Sequence, residues 1–128
     1  MQVLLDTHAF LWWLAGDSRL TAAARRIIED DTNTILVSAA SAWEIATKFR
    51  LGKLPRAGAV ALDVNGCLAG QGFSALSITV DDAERAGRLT GPHRDPFDRM
   101  IDAQALARDI PIVSVDRSFD AWGVRRMV

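Results

Sequence analysis

Four acidic residues stand in four well-separated segments of the chain: Asp6 in LLDTH, Glu44 in SAASAWEIATKF, Asp98 in HRDPFDRMIDAQA and Asp116 in IVSVDRSFD. Carboxylates gathered from separate segments make the all-oxygen ligand set that Mg²⁺ or Mn²⁺ takes, and neither ion needs a thiolate or an imidazole. Two unit charges about 5 Å apart repel by roughly 3 kcal/mol at an effective dielectric near 20, so such a cluster without a cation destabilises the fold or takes up protons. Each acid also has an ordinary use. Asp6 and Asp116 stand where a side-chain oxygen caps a following helix. Glu44 lies four residues before Lys48, the spacing of a helical ion pair. Asp98 is the third residue of a helix that Asp95 caps and Pro96 begins, the place of the acid in a capping box. Competing signatures are weak: His8 and His93 form no H-x-x-x-H or H-x-x-E-H helix, Gly70 and Gly72 make no dinucleotide fingerprint, and the sequence has no P-loop and no G-x-S-x-G.

The elements that would position these acids alternate. Short apolar runs at Gln2–Leu5, Thr34–Val37, Phe73–Ser77 and Ile112–Val115 read as strands, with one more at Val124–Met127. Between them, helical spacing predicts helices at Thr7–Ala15, stopped by Gly16, and at Arg19–Asp30, capped by Ser18. Further helices are expected at Ala39–Arg50, ended by Gly52, and at Ala59–Gly70, Val80–Leu89 and Pro96–Arg108. Strands alternating with helices predict an α/β domain with a mostly parallel sheet covered on both faces. In such open sheets the working crevice lies beyond the carboxyl ends of the strands, where strand order reverses. Asp6 and Asp116 each follow a predicted strand and so fall on that edge.

A chain of 128 residues with a formal net charge of -1 is expected to fold as one globular domain spanning residues 1–128. Its near-neutral balance lacks the broad basic footprint of a sequence-reading DNA binder. Lone Cys67 offers neither an internal disulfide nor a thiolate zinc site, which points to a reducing, cytoplasmic setting. No apolar run reaches the roughly 18 residues that span a bilayer, so no membrane role is expected. The first helix, HAFLWWLAG, is apolar nearly all round; one face enters the core and the other suits a protein interface.

The order LLDTH, SAASAWEIATKFRLGKL, HRDPFDRMIDAQA and IVSVDRSFDAWGV resembles the PIN-domain ribonucleases, in particular VapC-like toxins of toxin–antitoxin pairs. The resemblance covers nearly the whole chain and implies a three-layer α/β/α sandwich around a parallel sheet. It places the four family acids on Asp6, Glu44, Asp98 and Asp116. Asp98 is preferred to Asp95 and Asp102 because the family's third acid opens a D-x-x-I-x-A helix, matched by Asp98, Ile101 and Ala103, while Asp95 suits a supporting place. Asp120 competes with Asp116 but lies beyond the strand end. The implied activity is Mg²⁺-dependent endoribonuclease, with Mn²⁺ able to substitute. Asp6, Asp98 and Asp116 would hold the metal, with Glu44 as a further ligand or the group that positions the attacking water. Thr7 and Ser114 would bind water or a phosphate oxygen, and Arg94, Arg99 and Arg117 would grip RNA phosphates. The implied partners are a cognate antitoxin and an RNA substrate, in a homodimer or a toxin–antitoxin hetero-oligomer. The same fold would also serve an RNA-processing nuclease without an antitoxin, or a catalytically silent interaction module.

Overall fold

The first strand explains why the sheet must be covered twice. In the computed structural model, described for residues 1–91 and 95–128, β1 (Gln2–Leu5) buries Val3, Leu4 and Leu5 completely. Successive strand residues point to opposite faces. Val3 and Leu5 accordingly join a cluster with Phe10, Leu20, Ala24, Ile28 and Leu68, while Leu4 joins a second one with Ile101, Ala105, Ile112 and Phe119.

The chain continues through α1 (Thr7–Ala15), α2 (Ala22–Glu29), β2 (Thr34–Ser38), α3 (Ala39–Arg50), α4 (Gly58–Leu62) and α5 (Val64–Gln71). It then forms β3 (Ser74–Leu76), α6 (Val80–Arg88), α7 (Pro96–Arg108), β4 (Ile112–Val113), a 3₁₀ turn (Arg117–Trp122) and β5 (Arg126–Met127). The sheet order is β3-β2-β1-β4-β5, with every pair parallel. Helices α1, α2 and α5 supply Phe10, Ala24, Ile28 and Leu68 to one core; α7 and the 3₁₀ turn supply Ile101, Ala105 and Phe119 to the other. The expected α/β/α sandwich is therefore present, its sheet parallel throughout. Strand order reverses between β1 and β4, so the crevice opens where Asp6 and Asp116 leave the sheet.

Two helical boundaries differ from expectation. The second helix is capped by Thr21, whose hydroxyl accepts from the Ala24 amide at 3.0 Å, so Ser18 is not the cap and the helix begins three residues later than Arg19. The stretch Ala59–Gly70 is two helices, because Asp63 leaves helical geometry and its carboxylate caps α5 through the Gly66 amide at 2.9 Å. Gly16 ends α1 as expected, with φ 63°, a left-handed conformation that glycine adopts at little cost.

One buried polar chain ties α3, α6 and α7 together. Ser38, the N-cap of α3, donates to Gln104 Oε1 at 2.6 Å, and Gln104 Nε2 donates to the Ser77 carbonyl and to Asp82. Arg108 grips Asp82 with two nitrogens at 3.0 and 3.1 Å, and Asp82 closes the Thr79 capping box of α6. These bonds fix α3, which carries Glu44, against α7, which carries Asp98.

Candidate active site

Asp6 leaves β1 as the N-cap of α1. Its Oδ1 accepts from the Ala9 amide at 2.7 Å, and its Oδ2 accepts from the Ser114 hydroxyl at the end of β4. Ser114 Oγ also accepts the Asp116 amide at 2.9 Å. One buried hydroxyl thus holds two acids from neighbouring strand ends in register. Asp116 caps the 3₁₀ turn, its Oδ1 accepting from the Ser118 amide and hydroxyl at 2.9 and 2.7 Å. The capping uses expected of Asp6 and Asp116 are real, and both acids nonetheless stand at the crevice.

Glu44 is buried on α3, and its Oε2 is gripped by Lys48. The pair has the i, i+4 spacing foreseen, although burial makes it something other than a surface pair. Glu44 Oε1 is fully buried without a hydrogen-bond partner among the described residues. Across the crevice Asp95 caps α7, accepting from the amides of Phe97 at 2.9 Å and Asp98 at 3.2 Å. Asp98 sits in that helix's first turn.

The carboxylates are close enough to feel one another. Burial, followed by the charges of Asp95, Glu44, Asp6 and Asp116, pushes the Asp98 carboxyl up to about 7. Burial also raises Asp6 against the pull of its hydrogen bonds to Ser114 and Ala9, with Asp116 adding to the rise. Lys48 feels Glu44, Asp95 and Asp98 together. All four acids singled out in the sequence, with Asp95, therefore share one electrostatic basin. Among the described residues, however, no three His, Cys, Asp or Glu side chains are gathered tightly enough to hold a metal ion as they stand.

The remaining candidates divide. Thr7 is buried and shares a hydroxyl hydrogen bond of 2.9 Å with Ser41, which joins α1 to α3; Ser41 had no sequence signal, since a serine in an apolar helix has no diagnostic spacing. Arg99 donates to the carbonyls of Ala86 and Leu89 and lies 5.9 Å from the Trp122 ring, a use other than the phosphate contact expected for it. Arg117 is exposed beside Asp116. Arg94 and His93 lie outside the described residues. His8 is exposed and stacks 5.8 Å from Trp12. Asp120 is taken up by Arg126 in a two-nitrogen pair at 2.9 and 3.0 Å, consistent with its lower rank beside Asp116. Asp102, one turn beyond Asp98, is wholly buried with neither oxygen partnered among the described residues, a burial that no local pattern in the sequence signals.

The parallel sheet, with Asp6 and Asp116 leaving it at the switch point, defines an α/β/α sandwich with acids at one edge. The PIN domain family model matches residues 3–123, and the chain belongs to that family. Over 64 residues it is 50% identical to Ribonuclease VapC16 of Mycobacterium tuberculosis, a match covering 50% of this chain and 44% of that relative, under half its length. Among solved structures, VapBC2 from Rickettsia felis bound to a promoter DNA fragment superposes with a TM-score of 0.70 at 15% identity, covering 99% of this chain and 98% of that one. VapC20 of Mycobacterium tuberculosis, a Sarcin-Ricin loop cleaving toxin, superposes with a TM-score of 0.68 at 22% identity, covering 95% of each chain. At these identities the structural likeness establishes the fold.

Proposed function

We propose that this chain is a divalent-metal-dependent endoribonuclease acting as the toxin of a toxin–antitoxin pair. The observation that carries the reading is that Asp98 feels the charges of Asp6, Glu44 and Asp116, acids of three other segments, two of which leave the sheet at its switch point. Membership of the PIN family and the likeness to a VapC ribonuclease support it. The residues suit a hard cation: the donors are all oxygen, buried Glu44 Oε1 has no partner among the described residues, and burial, with the charges of Asp95, Glu44, Asp6 and Asp116, pushes the Asp98 carboxyl up to about 7.

Asp6, Asp98 and Asp116 would hold Mg²⁺, for which Mn²⁺ can substitute. The ion supplies charge that draws in the phosphodiester and lowers the pKa of water. Ser114 aligns Asp6 with Asp116, and Asp95 fixes the first turn that carries Asp98. Lys48 occupies one of the Glu44 oxygens, leaving Oε1 for the ion or for the attacking water. Water adds to phosphorus, one bridging P–O bond breaks, and the leaving sugar oxygen takes a proton. Arg117, with Arg94, is assigned the flanking phosphates, and Thr7 a water or phosphate oxygen. Arg99 serves α6 first.

The antitoxin is assigned to a groove of about 610 Å³ along α1, lined by His8, Leu11, Trp12, Leu14, Pro55 and Val60 among others. Only Thr7, Ala9 and Phe10 of α1 are fully buried, so the helix keeps apolar surface for a partner. The assembly would be a homodimer or a toxin–antitoxin hetero-oligomer, in line with the neighbouring VapBC2 structure.

The test is cleavage of single-stranded RNA with Mg²⁺ or Mn²⁺. Activity should vanish in EDTA and fall at least about a hundredfold in Asp6→Asn and Asp98→Asn, the scale of losing a preorganised charged group. Undiminished cleavage in those variants discards the site. Co-expression with the product of the adjacent gene should suppress cleavage and yield a co-purifying complex.

A further inference from the structure

Trp43 is 61% exposed, although large aromatic side chains bury well and ordinarily do. It immediately precedes Glu44 on α3, and Phe97 immediately precedes Asp98 on α7. The two rings meet edge to face, with centroids 4.9 Å apart and planes at 77°. The contact bridges α3 and α7 beside the two acids these helices deliver, and it holds the indole in place while much of its surface stays in water.

Next to the pair lies a shallow cleft of about 190 Å³, lined by Ala40, Trp43, Ile78, Pro96, Arg99 and Met100 among others. Its size selects the occupant. Pockets for drug-sized ligands run from about 300 Å³, and a stable protein interface covers about 800 Å² on each partner. This cleft is the scale of one planar ring. Arg99 keeps its positive charge while it holds the Ala86 carbonyl of α6, and the other residues named in the lining are apolar. Successive helix residues do not face each other, so the Trp43–Phe97 pair flanks the two acids on the same two helices, where a nucleotide neighbouring the cleaved one would lie.

We propose that Trp43, braced by Phe97, is a stacking platform for one unpaired nucleobase beside the cleaved phosphodiester. The inference rests on the ribonuclease reading above and adds a substrate requirement: the RNA must be single-stranded, or splay a base, at that position. Sequence-selective RNA binding commonly works by stacking unstacked bases on aromatic rings, and any base has a face to offer.

The test compares wild type, Trp43→Leu, Trp43→Phe and Phe97→Leu on a short single-stranded RNA, on the same strand annealed to its complement, and on versions carrying one abasic nucleotide next to the cut. Loss of one base stack corresponds to about a 5- to 150-fold effect. Trp43→Leu should raise KM within that range with kcat changed less than about threefold, and Trp43→Phe should restore most of it. Phe97→Leu should fall between. An abasic nucleotide should cost wild type as much as Trp43→Leu does, and the two losses should not multiply. An unchanged KM in a folded Trp43→Leu protein overturns the platform, as do multiplying losses. So does a KM change that tracks conversion of a dimer to a monomer in light scattering, which would make a second copy of the chain the occupant of this face. Metal-free binding of labelled RNA separates the platform from the ribonuclease reading. RNA bound but never cleaved, with binding weakened tenfold by Trp43→Leu, discards the nuclease and keeps the platform; RNA neither bound nor cleaved discards both.

Discussion

Replacing Asp102 with Asn should abolish a loss of stability that the parent protein suffers as pH rises. Asp102 is 0% exposed on α7, and neither carboxylate oxygen has a partner among the described residues. Burial alone pushes its carboxyl from 3.8 up to about 7. A raised carboxyl means that between about pH 4 and pH 7 the folded chain binds nearly one more proton than the unfolded chain. Stability is then highest below the unfolded value and is lost as pH rises through the folded one. At about 1.4 kcal/mol per pH unit, that loss approaches 4 kcal/mol by pH 8. Asn has nearly the same shape and no charge; its buried amide costs about 1–3 kcal/mol, but equally at every pH. The variant should match or fall slightly below the parent near pH 4 and exceed it near pH 8. For a domain of this size the relative swing corresponds to very roughly 10–20 °C in Tm. Asp98, also raised to about 7, is present in both proteins and cancels in the difference. Urea midpoints for the two proteins, measured in EDTA at half-unit steps from pH 4 to 8.5, decide the matter. Parallel profiles would show that the Asp102 carboxylate finds a partner and that burial does not hold it neutral.

Three further outcomes follow from the site and its supports. Mn²⁺ at a hundred times its Kd should stabilise the protein at pH 8 by about 2.7 kcal/mol, and Asp98→Asn should lose most of that response in a thermal melt. Ser114→Ala removes the donor to Asp6 and the acceptor of the Asp116 amide inside a buried site, so it should cost about 1–3 kcal/mol in urea unfolding and reduce RNA cleavage more than tenfold. Arg108→Ala leaves a buried carboxylate without its cation and should cost about 3 kcal/mol. Burial works to raise Asp82, but Arg108, Thr79 and Gln104 bring it down to about 2, so its contribution is present above pH 4 and lost as pH falls toward 2; Arg108→Ala should flatten that acid limb.

The strands and the capping places of Asp6 and Asp95 were legible because each has a sharp local signal. Gln2–Leu5 reads as a strand buried on both faces, and Asp6 follows it directly. Pro96 after Asp95 fixes the start of α7, and with it the place of Asp98 in the first turn. Ser18 and Thr21 both match the chemistry of a cap, and only packing chooses between them: Leu20 has to reach the core before the helix begins. Asp63 looked like an ordinary helix residue, yet its backbone leaves helical geometry and starts a second helix. The task of Arg99 was hidden for a different reason. Its targets, the carbonyls of Ala86 and Leu89, belong to a helix end more than nine residues away, and no local pattern encodes that contact.

Capping and metal binding are rival explanations of a carboxylate only while each residue is considered alone. Parallel strands deliver their carboxyl ends to one edge, where the next helix begins, so an acid that caps α1 stands beside an acid in the first turn of α7. A helix N-terminus favours negative charge by about 0.3–1 kcal/mol, whereas each close like-charged pair costs about 3 kcal/mol. The caps therefore orient Asp6 and Asp95 but fall well short of compensating the cluster. Lys48 contributes one positive charge and directs it to Glu44. What is left uncompensated adds to burial at Asp98, whose carboxyl is raised further by the charges of Asp95, Glu44, Asp6 and Asp116. A divalent cation is the smallest group that can remove that deficit without disturbing the caps, which is why the fold's own bookkeeping singles out Asp98 as the position where metal binding and proton release should be most tightly linked.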